Sequence, residues 1–267
     1  MKLNIVHTSR YQFDQPMRYG LQQLRLTPKS RPGQDVSQWT MNVQGGKIET
    51  EFTDHNANAV SLISFEQDAT EIVVECRGEV LTENKFGVVG KQRSFMPLWL
   101  FQRSTDLTRA TANVRRLTKG LRDEHDNDIA LLHALSARIL EAVSYEIGET
   151  DAATSADAAL EKGSGVCQDH AHIFVAAARA MDFPARYVSG YLMMNDRTHQ
   201  DATHAWAEAH IKDVGWVGFD VSNAISPDER YVRVATGLDY REAAPISGLR
   251  FGTGGERLSV DVVVAQQ

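Results

Sequence analysis

Long apolar runs are missing from this sequence of 267 residues. The amino-terminal stretch MKLNIVHTSRYQFD alternates apolar and polar residues, so it lacks the apolar segment of a secretory signal. No later stretch approaches the roughly 20 apolar residues that span a bilayer. We therefore expect a cytoplasmic protein that has no membrane partner.

A surplus of basic residues is also missing. The chain has 28 Lys and Arg residues against 35 Asp and Glu residues, which gives a formal net charge of −7. Proteins that bind nucleic acids or anionic membranes usually present basic surfaces, so we expect no nucleic-acid partner. The composition, with 42% hydrophobic and 24% charged residues, is that of an ordinary globular protein with a sizeable core.

Cysteine is scarce, and the usual metal motifs are absent. Cys76 and Cys167 form no Cys-x-x-Cys pair, and no His-x-x-x-His motif occurs. His170 and His172 are two positions apart in a predicted helix, so they cannot both face one ion. We predict no metal and no cofactor, and we expect both cysteines to be reduced. A metal site remains the chemical rival, with these possible ligands: Cys167, His170, His172, His204 and His210.

The hydrophobic pattern divides the chain into two parts. From about residue 2 to 81 it has a period near two, which predicts an antiparallel β-sandwich-like or barrel-like domain with Cys76 buried in its last strand. The polar segment ENKFGVVGKQR follows, and then the period changes to about 3.6. We predict an α+β protein with a β-rich domain at 1–90 and a second domain, a cysteine-nucleophile core, at 91–267.

Three helices are predicted in the second part. Asn127 or Asp128 can cap an amphipathic helix that extends to about residue 143, and Thr154 or Ser155 can cap a short helix that ends at glycines. The segment QDHAHIFVAAARAM is apolar nearly all round, so its helix should be central and buried.

The stretch GSGVCQDHAH places Cys167 between glycines and the first turn of that buried helix. Cysteine attacks as its thiolate, which unpaired N–H groups and the dipole at a helix N-terminus stabilise. Gly163 and Gly165 could leave room for a substrate carbonyl above the sulfur. From this stretch alone, a nucleophile and a small residue at a tight junction are equally good interpretations.

Two strand-like segments, HAWAEAHI and GWVGFDV, favour the nucleophile. His204 and Trp206 share one strand face, and the alternate alanines on the other face suit close packing on the cysteine helix. A hairpin that turns near Lys212 would place Asp220 opposite His204. Asp220 could then orient the imidazole while its other nitrogen polarises Cys167, although His204 could also be an ordinary exposed strand residue.

The segments GVCQDHAH, HAWAEAHI and VGFDVSN, in that order, resemble the core of the bacterial transglutaminase-like superfamily, which has a papain-like Cys-His-Asp arrangement. The segments VHTSRYQFDQPM and LRLTP are similar to the β-rich amino-terminal region of that family. Together these similarities extend over most of the chain.

The resemblance implies that Cys167 is the nucleophile, His204 the general base and acid, and Asp220 the orienting partner. It departs from the family in two places: the usual Asp-Pro-Thr-Asn reads Asp220-Val221-Ser222-Asn223, and Gln168 replaces a basic residue. Asp169 matches the family pattern and could brace the loop or complete the first helical turn.

The predicted reaction is acyl transfer through a thioester on an amide bond of a peptide or protein substrate. Hydrolysis by a cysteine peptidase or amidase is favoured over transglutaminase-type amine transfer. A catalytically silent binding or scaffold protein of the same fold is the alternative from another class.

Overall fold

The computed structural model describes residues 1–91, 95–251 and 254–266. The end of the polar segment ENKFGVVGKQR, at 92–93, lies outside these residues. The strands of the described part are β1 (Lys2–Met17), β2 (Tyr19–Leu24), β3 (Gln34–Gln44), β4 (Gly46–Thr53), β5 (Ala59–Phe65), β6 (Ala69–Thr82), β7 (Val88–Gly90), β8 (Ser144–Tyr145), β9 (Ser164–Gly165), β10 (Ala185–Leu192), β11 (His199–Gln200), β12 (His204–Ile211), β13 (Gly215–Phe219), β14 (Tyr231–Gly237), β15 (Ile246–Phe251) and β16 (Glu256–Gln266).

Four of the α-helices in the described part begin after a residue whose side chain accepts a backbone N–H group. Within the described residues the helices are α1 (Ala112–Thr118), α2 (Leu121–Glu124), α3 (Asp128–Ala142), α4 (Ala156–Lys162), α5 (Cys167–Ala180) and α6 (Tyr240–Ala243), together with a 3-10 helix at Leu98–Gln102. Asn127 caps α3 and Ser155 caps α4, each through a side-chain oxygen that accepts backbone N–H groups. The predicted helix starts are confirmed.

The central sheet of the second part has the strand order β14-β10-β12-β13-β7. Helix α5 packs on it through a fully buried apolar cluster that includes Phe174, Ala207 and Ala209. The small residues of β12 allow this close approach, so the predicted faces of β12 and the predicted burial of α5 are confirmed.

Two sheets occupy the amino-terminal part, and the end of the chain contributes a strand to each. Their orders are β11-β16-β1-β6-β3 and β15-β2-β5-β4. One apolar cluster contains side chains from both sheets, such as Tyr11 and Ile72 from the first and Leu24 and Ile63 from the second. The division at residue 90 stays a prediction; β15 and β16 pair with strands of the amino-terminal part.

Two side-chain amides attach the amino-terminal part to β14, the edge strand of the central sheet. Asn58 donates Nδ2 to the Thr236 carbonyl and accepts the Thr236 N–H at Oδ1, both at 2.8 Å. Gln34 forms the same pair of bonds with the backbone of Arg233, at 2.9 and 2.8 Å. Each amide thus satisfies an edge N–H and C=O as a neighbouring strand would.

Among the helices of the described residues, none has both the length and the apolar character needed to cross a membrane.

Candidate active site

Cys167 is the first residue of α5, with Val166 as the preceding N-cap. Its side chain is partly exposed at the helix N-terminus. The start of the helix is held by Asp169, whose Oδ2 accepts the Val166 N–H at 2.8 Å and the Thr150 hydroxyl at 2.6 Å. Asp169 therefore completes the first turn of α5 and also braces the loop that contains Thr150. Both roles agree with the expectations from the sequence.

The glycines before Cys167 have roles different from the expected one. Gly163 ends α4 in the left-handed region, with φ of 74°. A Cβ on Gly165 would lie 2.7 Å from Asp169 Oδ2, so the missing side chain makes room for that carboxylate. The neighbours of Gly165 thus indicate that it makes room for Asp169 and not for a substrate carbonyl.

The predicted register of the β12–β13 hairpin is wrong by two residues. Gly218 pairs with Glu208, and Asp220 lies beyond β13 in a bridge with Ile225. The three-residue turn is centred on Asp213, which has φ of 66°, rather than on Lys212. A shift of two keeps each side chain on its face, so Asp220 still reaches His204 diagonally.

His204 is bonded to both of the other predicted site residues. Its Nε2 lies 2.6 Å from Asp220 Oδ2, and its side chain also forms a hydrogen bond with Cys167. Because the carboxylate can only accept, Nε2 donates to it, which leaves Nδ1 for the sulfur. The structure thus brings the predicted residues Cys167, His204 and Asp220 together.

The electrostatics of the buried pair favour two charged groups. Burial opposes protonation of His204, but the charges of Asp220 and Cys167 outweigh it and raise the pKa of His204 to about 10. Burial likewise disfavours the ionised form of Asp220, yet His204 and two further hydrogen-bond donors hold the pKa of that carboxyl below its usual value. The site therefore favours an imidazolium beside the cysteine sulfur.

Sequence reasoning missed the groups that hold Asp220. Asn223 Nδ2 and the Tyr231 hydroxyl each donate to Asp220 Oδ2 at 2.7 Å, so this oxygen accepts from three side chains. Trp206 stacks on His204 with ring centroids 6.2 Å apart and meets Tyr231 edge-on. Asn223 belongs to a quoted motif, but no local pattern identifies Tyr231 as a partner.

A cleft of about 380 Å³ opens above Cys167 and His204. Tyr145, Tyr187 and Tyr240 contribute aromatic surface to its lining, and Gln168 lies in it too. The short parallel strand β8 pairs Tyr145 with Gly165, which fixes this tyrosine beside the start of α5. Burial and the nearby Cys167 raise the pKa of Tyr145 to about 12, so it is a neutral hydroxyl group near the sulfur.

The other histidines of the rival metal interpretation lie in separate environments. His170 is bonded to Ser222 Oγ at 2.8 Å and to the Val143 carbonyl at 3.0 Å, whereas His172 accepts the Tyr240 N–H at 3.1 Å. His210 packs edge-on against a tryptophan. Within the part of the chain that the structure describes, no three His, Cys, Asp or Glu side chains group as metal ligands would.

Cys76 is fully buried in β6, as predicted. Burial and the adjacent Glu75 raise the pKa of its thiol to about 12. It is therefore a core residue that forms little thiolate at neutral pH.

Two family models together match most of the chain. Residues 115–221 match the model of the transglutaminase-like superfamily, and residues 3–81 match that of the bacterial transglutaminase-like N-terminal region. The chain carries a transglutaminase-like core. The resemblance of its quoted segments to this family is thereby confirmed.

Three similar proteins illustrate the range of this likeness. The uncharacterized protein ML0607 of Mycobacterium leprae is 27% identical over 99% of both chains. The protein-glutamine gamma-glutamyltransferase of Pseudomonas aeruginosa is 31% identical over 51% of this chain and 23% of its own length. The structure of "a Putative Cysteine Protease from Cytophaga hutchinsonii" superposes with a TM-score of 0.78 at 23% identity, over 100% of this chain and 91% of that one, which shows a shared fold.

Proposed function

We propose that the protein is a thiol-dependent acyl-transfer enzyme that acts on an amide bond of a peptide or protein. Cys167 attacks the carbonyl carbon, and His204 gives a proton to the leaving amine, which leaves a thioester on the sulfur. Water then attacks the thioester while His204 takes its proton, and the acid is released from the sulfur, which leaves the thiolate beside the imidazolium again. Asp220 keeps the imidazole oriented throughout.

The observation that carries this proposal is the position of His204 between Asp220 and Cys167. An ordinary exposed strand histidine would not be buried, nor would it be bonded to a carboxylate that accepts two further donors. The raised pKa of His204 supports an imidazolium that can protonate a leaving amine. The backbone N–H of Cys167 is the proposed oxyanion donor.

Hydrolysis is the proposed outcome, because Cys167 is partly exposed at a cleft whose lining includes neither Trp206 nor Trp216. A cross-linking enzyme must keep water from the thioester while it admits an amine, which calls for an apolar passage. Trp206 packs on His204 and Tyr231, and Trp216 packs on Phe101, so neither of them lines the cleft. These positions support access of water to the acyl-enzyme.

Amine transfer is the second candidate. It is favoured by the likeness to the Pseudomonas aeruginosa protein, whose name states transfer of a glutamyl group from protein glutamine. Incubation with a glutamine-containing peptide library and a labelled primary amine, with products read by mass, separates the two outcomes. Released acid as the main product is expected, whereas dominant amine incorporation would show that the choice of water is wrong.

Single and double substitutions test whether the enzyme works through these residues at all. Cys167→Ala and His204→Ala should each abolish turnover, and the double variant should lose little more, since groups that act as a unit are not additive. Ser61→Ala, a change in the amino-terminal part, is the control and should keep full activity. Independent, additive losses would contradict the proposal, and so would turnover that survives in Cys167→Ala.

We propose that the two amino-terminal sheets form a β-sandwich that supports the core, since they share the cluster described above. We also keep the division near residue 90 and the cytoplasmic location as proposals. Limited proteolysis would test the division, because cleavage near residue 90 should give fragments that separate only on unfolding.

A further inference from the structure

One wall of the cleft above Cys167 comes from the segment that joins β10 to β12. This segment, residues 193–203, ends directly before His204 and contains the short strand β11. Six of the sixteen residues that line the cleft belong to it: Met194, Arg197, Gln200, Asp201, Ala202 and Thr203. A substrate held in the cleft therefore lies between this segment and the start of α5.

The middle of the 193–203 segment belongs to a sheet of the amino-terminal part. β11 pairs antiparallel with β16, and Gln200 lies opposite Val262. Next to this pair, the Thr198 carbonyl accepts the Val264 N–H at 3.1 Å. Because the sheet has the order β11-β16-β1-β6-β3, the segment supplies one of its two edge strands.

β16 is a well-anchored support for the segment. It pairs with β1 along its whole length, Glu256–Gln266. Val262 and Val264 are buried in one apolar cluster with Tyr191 of β10 and Val232 of β14. A strand that is paired along its length and also packed on the central sheet has little freedom to move.

The beginning of the segment is attached to the same sheet. Tyr191, two residues before it, is buried, and its hydroxyl forms a hydrogen bond of 2.9 Å with His7 Nδ1 of β1. His7 Nε2 is bonded in turn to Ser9 Oγ at 2.8 Å. Burial lowers the pKa of His7 to about 4, so the ring is neutral and offers one donor and one acceptor. This network ties the end of β10 to β1.

Gln200 connects β11 to the cleft. Its backbone belongs to β11, its side chain lines the cleft, and its Nε2 donates to the Leu192 carbonyl at 2.8 Å. Leu192 is the last residue of β10, so this bond joins β11 to the start of the segment. The position of the cleft wall is therefore set by β16 and fixed at Gln200.

We propose that the amino-terminal sheet positions the substrate-binding wall of the cleft through β16, with Gln200 as the positioning residue. This inference rests on the acyl-transfer function proposed above, because it assigns the wall to the peptide substrate. Cys167 lies on α5, and His204 is held by the pairing of β12 with β10, so the reacting pair does not depend on β16. Loss of the β11–β16 pairing should weaken peptide binding and leave the reactivity of the thiol unchanged.

Two substitutions separate the strand pairing from the side chain. Gln200→Pro removes a backbone N–H from β11, whereas Gln200→Ala removes only the side-chain amide. Gln44→Pro is the matched control, because Gln44 is an exposed residue of β3, the opposite edge strand of the same sheet. Hydrogen exchange, read by mass spectrometry, should rise across residues 193–203 in Gln200→Pro and not in Gln44→Pro.

Inactivation of Cys167 by reagents of two sizes measures the effect on the site. Iodoacetamide reaches the sulfur without contacting the wall, whereas N-acetyl dipeptidyl chloromethyl ketones have to lie along it. Gln200→Pro should raise the half-saturating concentration of the chloromethyl ketones roughly tenfold, with little change in their limiting rate constant. Gln200→Ala should change it less and in the same direction, and the rate with iodoacetamide should stay the same in all variants.

Three results would overturn the inference. The first is an unchanged half-saturating concentration in Gln200→Pro, and the second is an equal rise in Gln44→Pro. The third is a parallel loss of iodoacetamide reactivity, since the contact would then act on the Cys167–His204 pair itself. If exchange rises throughout Gln200→Pro, Gln200→Ala decides by the same criteria. Absence of saturable inactivation in the wild-type protein would instead contradict the proposed action on peptides, and hydrogen exchange would still decide whether β16 holds the segment.

Discussion

Asp220→Asn removes the negative charge beside His204 while it keeps the shape of the side chain. The two groups are buried and lie 2.6 Å apart. In the wild-type protein the pKa of His204 is raised from 6.5 to about 10, against the effect of burial, by Asp220 and by Cys167. Without the carboxylate, burial dominates, so the pKa of His204 should fall toward or below 6.5.

The size of the effect on stability follows from this shift. A rise in pKa from 6.5 to about 10 corresponds to about 4–5 kcal/mol as an upper limit, at about 1.4 kcal/mol for each pKa unit. Breaking a buried ion pair by removing one partner costs about 3–5 kcal/mol. We therefore expect Asp220→Asn to lower the free energy of unfolding by about 3–5 kcal/mol near pH 6.

The pH dependence has a definite sign on each side. The raised pKa of His204 means that its stabilising contribution is complete below pH 6.5 and is lost as the pH rises through about 10. The lowered pKa of Asp220 means that its contribution is present above about 3.8 and is lost as the pH falls through its folded value. The difference between wild type and variant should be largest between these limits.

Two measurements check the prediction. NMR titration of the His204 ring gives its pKa, and urea unfolding at several pH values gives the stability difference. Asp261→Asn is the matched control, because Asp261 lies 3.7 Å from His199 in an exposed pair and its loss should change stability little. A stability difference that does not shrink toward pH 10, or a His204 pKa that stays the same in Asp220→Asn, would refute the reasoning.

Three shorter predictions concern other contacts. Brief iodoacetamide treatment at neutral pH should label Cys167 well before Cys76, whose thiol is buried with a pKa of about 12; peptide mapping that finds equal labelling would contradict this. Asn58→Ala should lower the free energy of unfolding by roughly 2–4 kcal/mol, because two buried backbone groups of β14 lose their partner; calorimetry would show no change if water replaces the amide. Tyr231→Phe should lower kcat roughly tenfold with little change in KM, since it removes one donor to Asp220; a change in KM alone would rule out a positioning role.

Much of the site could be predicted because its signals are local. The caps of α3 and α4 depend on a few neighbouring residues, and the faces of β12 depend only on alternation. The strand faces and the family resemblance of the ordered motifs predict that Cys167, His204 and Asp220 lie together. The register of the hairpin was not predictable in the same way, because the turn is centred on Asp213, a non-glycine residue with a positive φ.

The contacts that join distant segments carry no such local signal. The Asn58 amide bonds to β14, 178 positions further along the chain, and nothing around Asn58 in the sequence indicates that partner. The pairing of β15 and β16 with amino-terminal strands is missed for the same reason, since alternation marks a strand but not its neighbour. Tyr231 belongs to this class too, because its role depends on where β14 is docked.

The position of the site in the fold explains why an imidazole can be held there against the cost of burial. β12 is the central strand of its five-stranded sheet, so the backbone of His204 is fixed by hydrogen bonds to β10. The backbone of Asp220, just beyond the end of β13, is held by its bridge with Ile225, and three donors on one oxygen hold its side chain. A carboxylate with that oxygen saturated cannot rotate without losing all three bonds, so the ring nitrogen that faces Cys167 stays in place before any substrate arrives.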